Sequence, residues 1–235
     1  MKIEAKILKD YIKKVSLDAS ILTLNLAFTD DGITTGVRNV SNIAMTEGLL
    51  KKEAFESYDK LDNMFIRNSR FFIEILNSFS DVVEFEVIED HTLKIFDNKR
   101  EAFIMLAEET ICDNLVGDAK PKIDNEVTVN MLKKELASAI KDMGLLKVTN
   151  LKIVKDGDAL YFQVGKQREY DYTRNKVVCD SEGDVDVGVG DTIISVFNTI
   201  GDKFSMNLGV KSPIVITENT DFMKVETIIA PIVDN

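Results

Sequence analysis

The sequence predicts an α+β protein built from two domains of similar size. Three observations carry this prediction: four amphipathic helical patterns, several strand patterns after each of them, and one long irregular stretch in the middle of the chain. The helices begin near residues 6, 68, 131 and 191, so one helix-and-strands unit recurs about every 60 residues. Because the connections between strands are short, we expect the sheets to be largely antiparallel.

The middle stretch, Glu108–Glu126, keeps neither a strand period nor a helix period and is punctuated by Gly117 and Pro121. A loop of this length is usually a linker or a functional segment. We therefore predict an N-terminal domain over 1–110, a connecting loop over 111–125 and a C-terminal domain over 126–235.

In the first domain, apolar residues at helical spacing predict helices over 6–17 and 68–79, and Asn68 is a candidate N-cap of the second helix. On the second helix the predicted apolar stripe includes Phe71 and Phe72. Alternating or apolar runs predict strands over 21–28, 33–40, 43–50, 82–88, 92–96 and 102–107.

In the second domain, the same patterns predict helices over 131–143 and 191–200. Gly144 follows the third helix where a C′ glycine belongs, and Asp191 precedes the fourth as a possible cap. Strands are predicted over 126–130, 148–154, 159–164, 169–179, 204–208, 213–217 and 222–229.

The charge of the chain is unevenly distributed. It has 29 Lys and Arg against 40 Asp and Glu, a formal net charge of −11, which argues against a simple nucleic-acid-coating protein. The first helix nevertheless carries four lysines and only one carboxylate, Asp10. Basic helices in an acidic chain could present one positive surface to a polyanion; alternatively, their lysines only solvate exposed helix faces.

No motif predicts catalysis, a cofactor or a metal. The sequence lacks the nucleotide-binding and nucleophile-elbow glycine patterns, and its single histidine, His91, has no Cys or Ser at motif spacing. The acidic segment 180–186 lacks the calcium-loop pattern. Cys112 and Cys179 have no CxxC partner, which is typical of a reducing cytoplasm, and no apolar run reaches the ~18 residues of a membrane span.

Four segments occur together in the order of one known family: YIKKV at 11–15, DGI followed by VRNVSNIAM at 31–45, KDG at 155–157 and IAPIV at 229–233. With them, the chain resembles the sliding clamps of DNA replication, of the type of proliferating cell nuclear antigen (PCNA) and its archaeal and viral relatives.

The resemblance implies a two-domain DNA-clamp fold, with antiparallel sheets outside and four helices lining the inner face of a ring. The ring would be a homotrimer that encircles duplex DNA, is opened by a clamp-loader ATPase, and tethers DNA polymerase and other replication and repair proteins without catalysis. It would act in the cytoplasm, at a nucleoid or at viral replication sites, or in a nucleus. The alternatives are a specialised or hetero-oligomeric clamp subunit of checkpoint type and a small acidic α+β enzyme.

The resemblance also assigns residues. The predicted DNA-facing residues are basic and lie on or beside three of the helices: Lys9, Lys13, Lys14, Arg67, Arg70, Lys133, Lys134 and Lys141. The predicted pocket for client proteins is formed by Arg38, Ile43, Met45, Leu115, Val116, Pro213, Ile228, Ala230 and Pro231. Leu115 and Val116 could form a lip over this pocket or only anchor the loop to the core.

The chain departs from the family pattern at two helices. Glu74 and Asn77 occupy positions of the second helix where clamps usually place lysines, and the fourth helix has no basic residue. We expect the strands over 102–107 and 169–179 to lie at sheet edges and to form the boundaries between subunits.

Overall fold

A computed structural model describes residues 1–88, 91–112, 115–116, 121, 123–165 and 171–232. The chain forms two compact units that do not follow the sequence strictly. Unit 1 comprises Met1–Ser41, Met45–Ala119 and Asn219–Glu226, and unit 2 comprises Asn42–Ala44, Lys120–Glu218 and Thr227–Asn235. Each unit thus includes a short segment from the other half of the chain. A single pair of boundaries in the sequence does not describe such units, so the predicted domain boundaries stay predictions.

Unit 1 contains two antiparallel sheets and two helices. One sheet has the strand order β5-β1-β7-β8-β9, and in the other β4, β3, β2 and β6 are neighbours in that order. The elements are β1 (Lys2–Glu4), α1 (Ala5–Val15), β2 (Leu24–Thr29), β3 (Gly32–Arg38), β4 (Ala44–Lys51), β5 (Phe55–Ser57), β6 (Met64–Ile66), α2 (Ser69–Asn77), β7 (Val82–Ile88), β8 (Thr92–Phe96) and β9 (Glu101–Met105).

Helix α1 is the most deeply packed helix of this unit. Its apolar positions Leu8, Ile12 and Val15 are buried as the helical spacing predicts, and so is Tyr11, whose hydroxyl donates to the Ile33 carbonyl at 3.3 Å. Gly48 on β4 allows this close packing, because a Cβ atom there would lie 2.5 Å from Val15 Cγ1 and 2.8 Å from Tyr11 Cε2.

The chain leaves α1 through three consecutive left-handed residues. Leu17, Asp18 and Ala19 have φ angles of 51°, 55° and 63°, a conformation that costs roughly 1–2 kcal/mol per non-glycine residue. Hydrogen bonds hold the turn: Asp18 N donates to Lys13 O at 2.8 Å, and Ala19 N donates to the buried Ser16 Oγ at 3.0 Å.

Helix α2 begins as the sequence predicts, but its buried face differs. The Asn68 side chain accepts a hydrogen bond from Phe71 N at 3.0 Å, which confirms the N-cap. Phe72, Ile73 and Leu76 are buried, whereas Phe71 is 46% exposed. The prediction that Phe71 belongs to the apolar stripe was wrong, because the helix turns Phe72 and Ile73 toward the core and leaves Phe71 on the other side.

Unit 2 repeats the pattern of helices and antiparallel strands. One sheet has the order β13-β12-β11-β14, and β10, β15 and β16 pair in that order in another. The elements are β10 (Val127–Leu132), α3 (Lys133–Leu146), β11 (Leu151–Asp156), β12 (Ala159–Gly165), β13 (Tyr172–Val178), β14 (Asp186–Val189), α4 (Thr192–Thr199), β15 (Lys203–Leu208), β16 (Ile214–Asn219) and β17 (Met223–Ile229).

Helix α3 starts and ends later than predicted. Strand β10 continues through Leu132, whose backbone N–H donates to the Glu135 carboxylate at 2.6 Å, and this contact sets the start of the helix. At the other end the helix runs past Gly144 to Leu146, and the left-handed cap is Lys147 with φ 53°. Gly144 is therefore a helical residue and not the C′ glycine that we predicted.

The strands that sequence analysis missed are the shortest ones. β1, β5 and β6 have three residues each and β14 has four, too few to display a period, so pairing with neighbouring strands defines them. Cys112 and Cys179 are both buried, and no disulfide joins them. Among the described helices, none combines the length and apolar character required to cross a membrane.

Candidate functional site

The predicted basic surface of unit 1 begins on α1. Lys9 and Lys13 occupy positions that amphipathic spacing assigns to the solvent side of the helix, and both are half-buried. Lys14 differs, because it is buried and its Nζ lies 3.5 Å from Asp10 Oδ2. Lys6 is exposed one turn before Lys9, and sequence analysis omitted it from the set although its spacing from Lys9 and Lys13 signals the same face.

On α2 the exposed polar residues separate into two groups. The cations Arg67 and Arg70 are exposed at the beginning of the helix, whereas the carboxylate Glu74 and the neutral amide Asn77 are exposed further along it. Ser69 fixes this beginning to the chain after α1, because its Oγ donates to Ile21 O and its N–H to Leu22 O, both at 2.7 Å.

In unit 2, the three predicted basic residues of α3 are not equivalent. Lys134 and Lys141 are exposed. Lys133 Nζ instead donates to the Ile200 carbonyl at 2.9 Å and lies 5.0 Å from the centre of the Phe197 ring. This lysine therefore binds the C-terminal end of α4, where a cation is stabilised by the carbonyl groups of the last turn.

The predicted client residues of unit 1 lie on β3, β4 and the connecting segment. Arg38 and Met45 face each other across the β3–β4 pair. Leu115 forms an antiparallel bridge with Val37, and Val116 N donates to Gly36 O at 3.1 Å. Backbone hydrogen bonding thus attaches both loop residues to β3, and both are half-buried. These contacts are the ones expected if Leu115 and Val116 anchor the loop to the core.

The predicted client residues of unit 2 include a direct contact between distant parts of the chain. Ala230 N donates to the Ile43 carbonyl at 2.8 Å, and Ile43 is partly exposed. The Pro213 carbonyl accepts from Asn125 Nδ2 at 2.9 Å, while Ile228 is buried and contributes support. Pro231 borders a groove of about 370 Å³ together with Ile232, Lys152, Gly188 and Lys211. Ile232 belongs to the IAPIV segment, whereas sequence analysis gave no signal for the other three.

Both predicted boundary strands lie at the edge of a sheet. β9 is the last strand of its sheet in unit 1, with Phe103 and Met105 exposed, and β13 is the last strand of its sheet in unit 2, with Val178 exposed. Each therefore has an unpaired backbone edge that could accept another strand.

His91 is an exposed turn residue with φ 52°, and its carbonyl accepts from Leu106 N at 2.8 Å. Within the described part of the chain, no group of three or more His, Cys, Asp or Glu side chains is arranged to hold a metal ion.

The fold of the chain is that of the PCNA-type sliding clamps, so the predicted α+β clamp fold is confirmed. The chain is similar to A. fulgidus PCNA, solved with the C-terminal region of FEN-1 bound, with a TM-score of 0.84 and 17% identity over 100% of this chain and 98% of that chain.

Two further solved structures agree. PCNA from Entamoeba histolytica matches with a TM-score of 0.81 and 16% identity over 99% of this chain and 98% of that one. The PCNA2–PCNA3 complex from Sulfolobus tokodaii matches with a TM-score of 0.76 and 16% identity over 98% and 99%. No protein-family model and no curated protein matches the sequence. At these identities the likeness concerns the fold.

Proposed function

We propose that the chain is a sliding clamp, which encircles duplex DNA as a ring and tethers DNA polymerase and other replication proteins to it. The observation that supports this proposal best is the fold, which matches PCNA structures over nearly the full length of both chains. The basic residues that are exposed or half-buried on α1, α2 and α3, in a chain with a net charge of −11, would supply the positive surface that such a ring needs.

The ring would hold DNA by topology and not by affinity. Phosphate contacts from Lys9, Lys13, Arg67 and Arg70 in unit 1 would be non-specific and weak, so the clamp can slide. Lys134 and Lys141 would act in the same way in unit 2. Lys14 and Lys133 would contribute charge to the lining, while their intramolecular contacts keep them from reaching a phosphate directly.

A homotrimer is the proposed assembly. Its support is the pair of unpaired edges, β9 in unit 1 and β13 in unit 2, because head-to-tail pairing of two different edges generates a ring when the rotation closes. The S. tokodaii PCNA2–PCNA3 complex is an assembly of two different clamp chains, so a hetero-oligomeric ring is the second candidate.

Client proteins would dock on the surface that the resemblance assigns to Arg38, Ile43, Met45, Leu115, Val116, Pro213, Ile228, Ala230 and Pro231. The support is that A. fulgidus PCNA binds the C-terminal region of FEN-1. The clients would be DNA polymerase and other replication and repair proteins, each inserting a short helical turn with apolar anchors. A clamp-loader ATPase would open the ring at the DNA, and the clamp itself would catalyse nothing.

The test is primer extension on singly primed circular DNA with the cognate polymerase and loader. We expect the chain to lengthen the products, and its native mass by light scattering to be about three times the 26.4 kDa of one chain. The double variant Lys9→Glu/Lys13→Glu should remain trimeric but support shorter products, with an effect that varies with salt and not with DNA sequence. A second arm, Met45→Ala with Leu115→Ser, should load on DNA but no longer assist the polymerase.

The matched control is Lys99→Glu/Lys224→Glu, which makes the same change of charge at exposed residues away from the helices. If control and helix variants lose processivity equally, the lysines of α1 act only through net charge. If the wild-type chain loads without lengthening the products, the clamp function is wrong.

A further inference from the structure

The beginning of α2 displays one exposed aromatic side chain and two exposed cations. Phe71 is 46% exposed, and Arg67 and Arg70, which precede it closely in the sequence, are exposed as well. Leu22, whose carbonyl accepts from Ser69 N at 2.7 Å, adds a second exposed apolar side chain beside this helix.

The packing of α2 does not require Phe71. The helix buries Phe72, Ile73 and Leu76, and these form its core face. The backbone at Phe71 is nevertheless fixed, because its N–H donates to Asn68 Oδ1 at 3.0 Å and Ser69 is bonded to the segment after α1. The ring is therefore presented to solvent from a rigid position, which lowers the conformational cost of binding a flat partner.

The chemistry of this surface selects its partner. A flat apolar ring offers stacking, and two guanidinium groups attract phosphates and also stack on aromatic faces. The far end of α2 carries the carboxylate of Glu74, which repels phosphates. Favourable contacts with the phosphates of a duplex are therefore confined to the beginning of the helix. Stacking and phosphate pairing at one point suit a single strand, whose bases are free.

We propose that Phe71, together with Arg67 and Arg70, is a stacking site for an unpaired base of a single-stranded nucleic acid. The inference rests on the proposed function in one respect, since a clamp that encircles DNA would bring single-stranded segments close to α2. The site would recognise a strand independently of sequence, because every base has a π-face.

Phe222 provides a matched comparison inside the same unit. It is 43% exposed, nearly the same as Phe71, and its charged sequence neighbours are Asp221 and Lys224. Lys51 is also close, since its N–H donates to the Phe222 carbonyl at 2.8 Å, but its ammonium group donates to Asn219 Oδ1 and Thr220 O. Phe222 is therefore an exposed ring without a neighbouring arginine.

The absence of tryptophan from the sequence makes the test direct. Phe71→Trp places a single tryptophan at the site, and stacking on a base should quench its emission. We expect saturable quenching of Phe71→Trp by an oligothymidylate at low salt, little quenching by a duplex of the same length, and no saturable quenching of Phe222→Trp. In fluorescence anisotropy, Phe71→Ala should weaken single-strand binding roughly 5-fold or more and leave duplex binding within about twofold of wild type.

Several results would overturn the inference. Equal quenching of both tryptophan variants, no quenching at saturation, or an equal loss of single-strand and duplex affinity in Phe71→Ala would each exclude base stacking. A change of native mass in Phe71→Ala would identify the ring as a contact between copies of the chain. A clamp that assists its polymerase but shows no quenching loses this inference alone, and quenching without any effect on the polymerase keeps the site and loses the clamp function.

Discussion

The first helices of the two units, α1 and α3, carry much of the predicted positive charge but are attached to their units in different ways. α1 buries six of its 11 residues, among them Lys14, whereas α3 buries three of its 14. Gly48 lets α1 approach β4 closely, while Gly144 lies in the last turn of α3, where an added Cβ would meet nothing within 4 Å apart from its chain neighbours and the helix's own nearby backbone.

The difference shows that two copies of one architecture can fix their basic residues to different degrees. On α1 the lysines lie on a helix whose position is set by close packing, and on α3 they lie on a helix with fewer buried side chains and a glycine in its last turn. Since packing determines how far local opening occurs, we expect the α3 surface to be the less stable of the two.

The largest expected effect is at the α1 contact. Gly48→Ala would place a Cβ at 2.5 Å from Val15 Cγ1, which should destabilise the protein by about 1–3 kcal/mol in urea unfolding. The matched control is Gly144→Ala, which meets nothing within 4 Å and should stabilise the helix by up to about 1 kcal/mol. If both alanine variants change the free energy of unfolding in the same direction, the packing difference between α1 and α3 does not determine the effect of a Cβ at these two glycines.

The sequence was sufficient for most of the fold because long elements display their period. The predicted strands over 82–88 and 92–96 coincide with β7 and β8, since apolar and polar residues alternate along most of each segment. Short strands such as β5 exist only through pairing, as in Ile3 with Phe55, and no local pattern reports a distant partner.

The candidate site was less accessible to sequence reasoning. Lys13 and Lys14 are chemically identical neighbours, and tertiary packing decides that Lys14 is the buried one beside Asp10. The contact of Ile43 with Ala230 joins residues from opposite halves of the chain, so only the family resemblance suggested that they belong together. Exposure of Phe71 could not be read from a helix that begins with two adjacent phenylalanines.

A second prediction uses pH to probe the α1 contact. Burial raises the pKa of the Tyr11 hydroxyl above its ordinary value near 10. Between these two pKa values the unfolded chain loses the proton while the folded protein keeps it, so stability falls as pH rises above about 10. Tyr11→Phe lacks this dependence and loses only the 3.3 Å hydrogen bond to Ile33, about 1 kcal/mol. The free energy of unfolding of Tyr11→Phe, measured in urea, should therefore be lower than that of wild type at pH 9, and the difference should be smaller at pH 11. A constant difference across this range would mean that Tyr11 is accessible to solvent in the native state.

The smallest expected effect concerns the two helix ends. The end of α3 depends on one left-handed residue, Lys147 with φ 53°, and that of α1 includes Asp18 with φ 55°. Glycine adopts this conformation without strain, so Lys147→Gly should raise the free energy of unfolding by about 0.5–1 kcal/mol, offset in part by the greater entropy of the unfolded chain. Asp18→Gly should gain less, because aspartate tolerates the left-handed region better than lysine does. Both are exposed, so neither change removes core packing. The measurement is the urea midpoint at unchanged slope. A larger gain at Asp18 than at Lys147 would place the greater backbone strain at the end of α1, and close packing on β4 would then be what holds that strained turn in place.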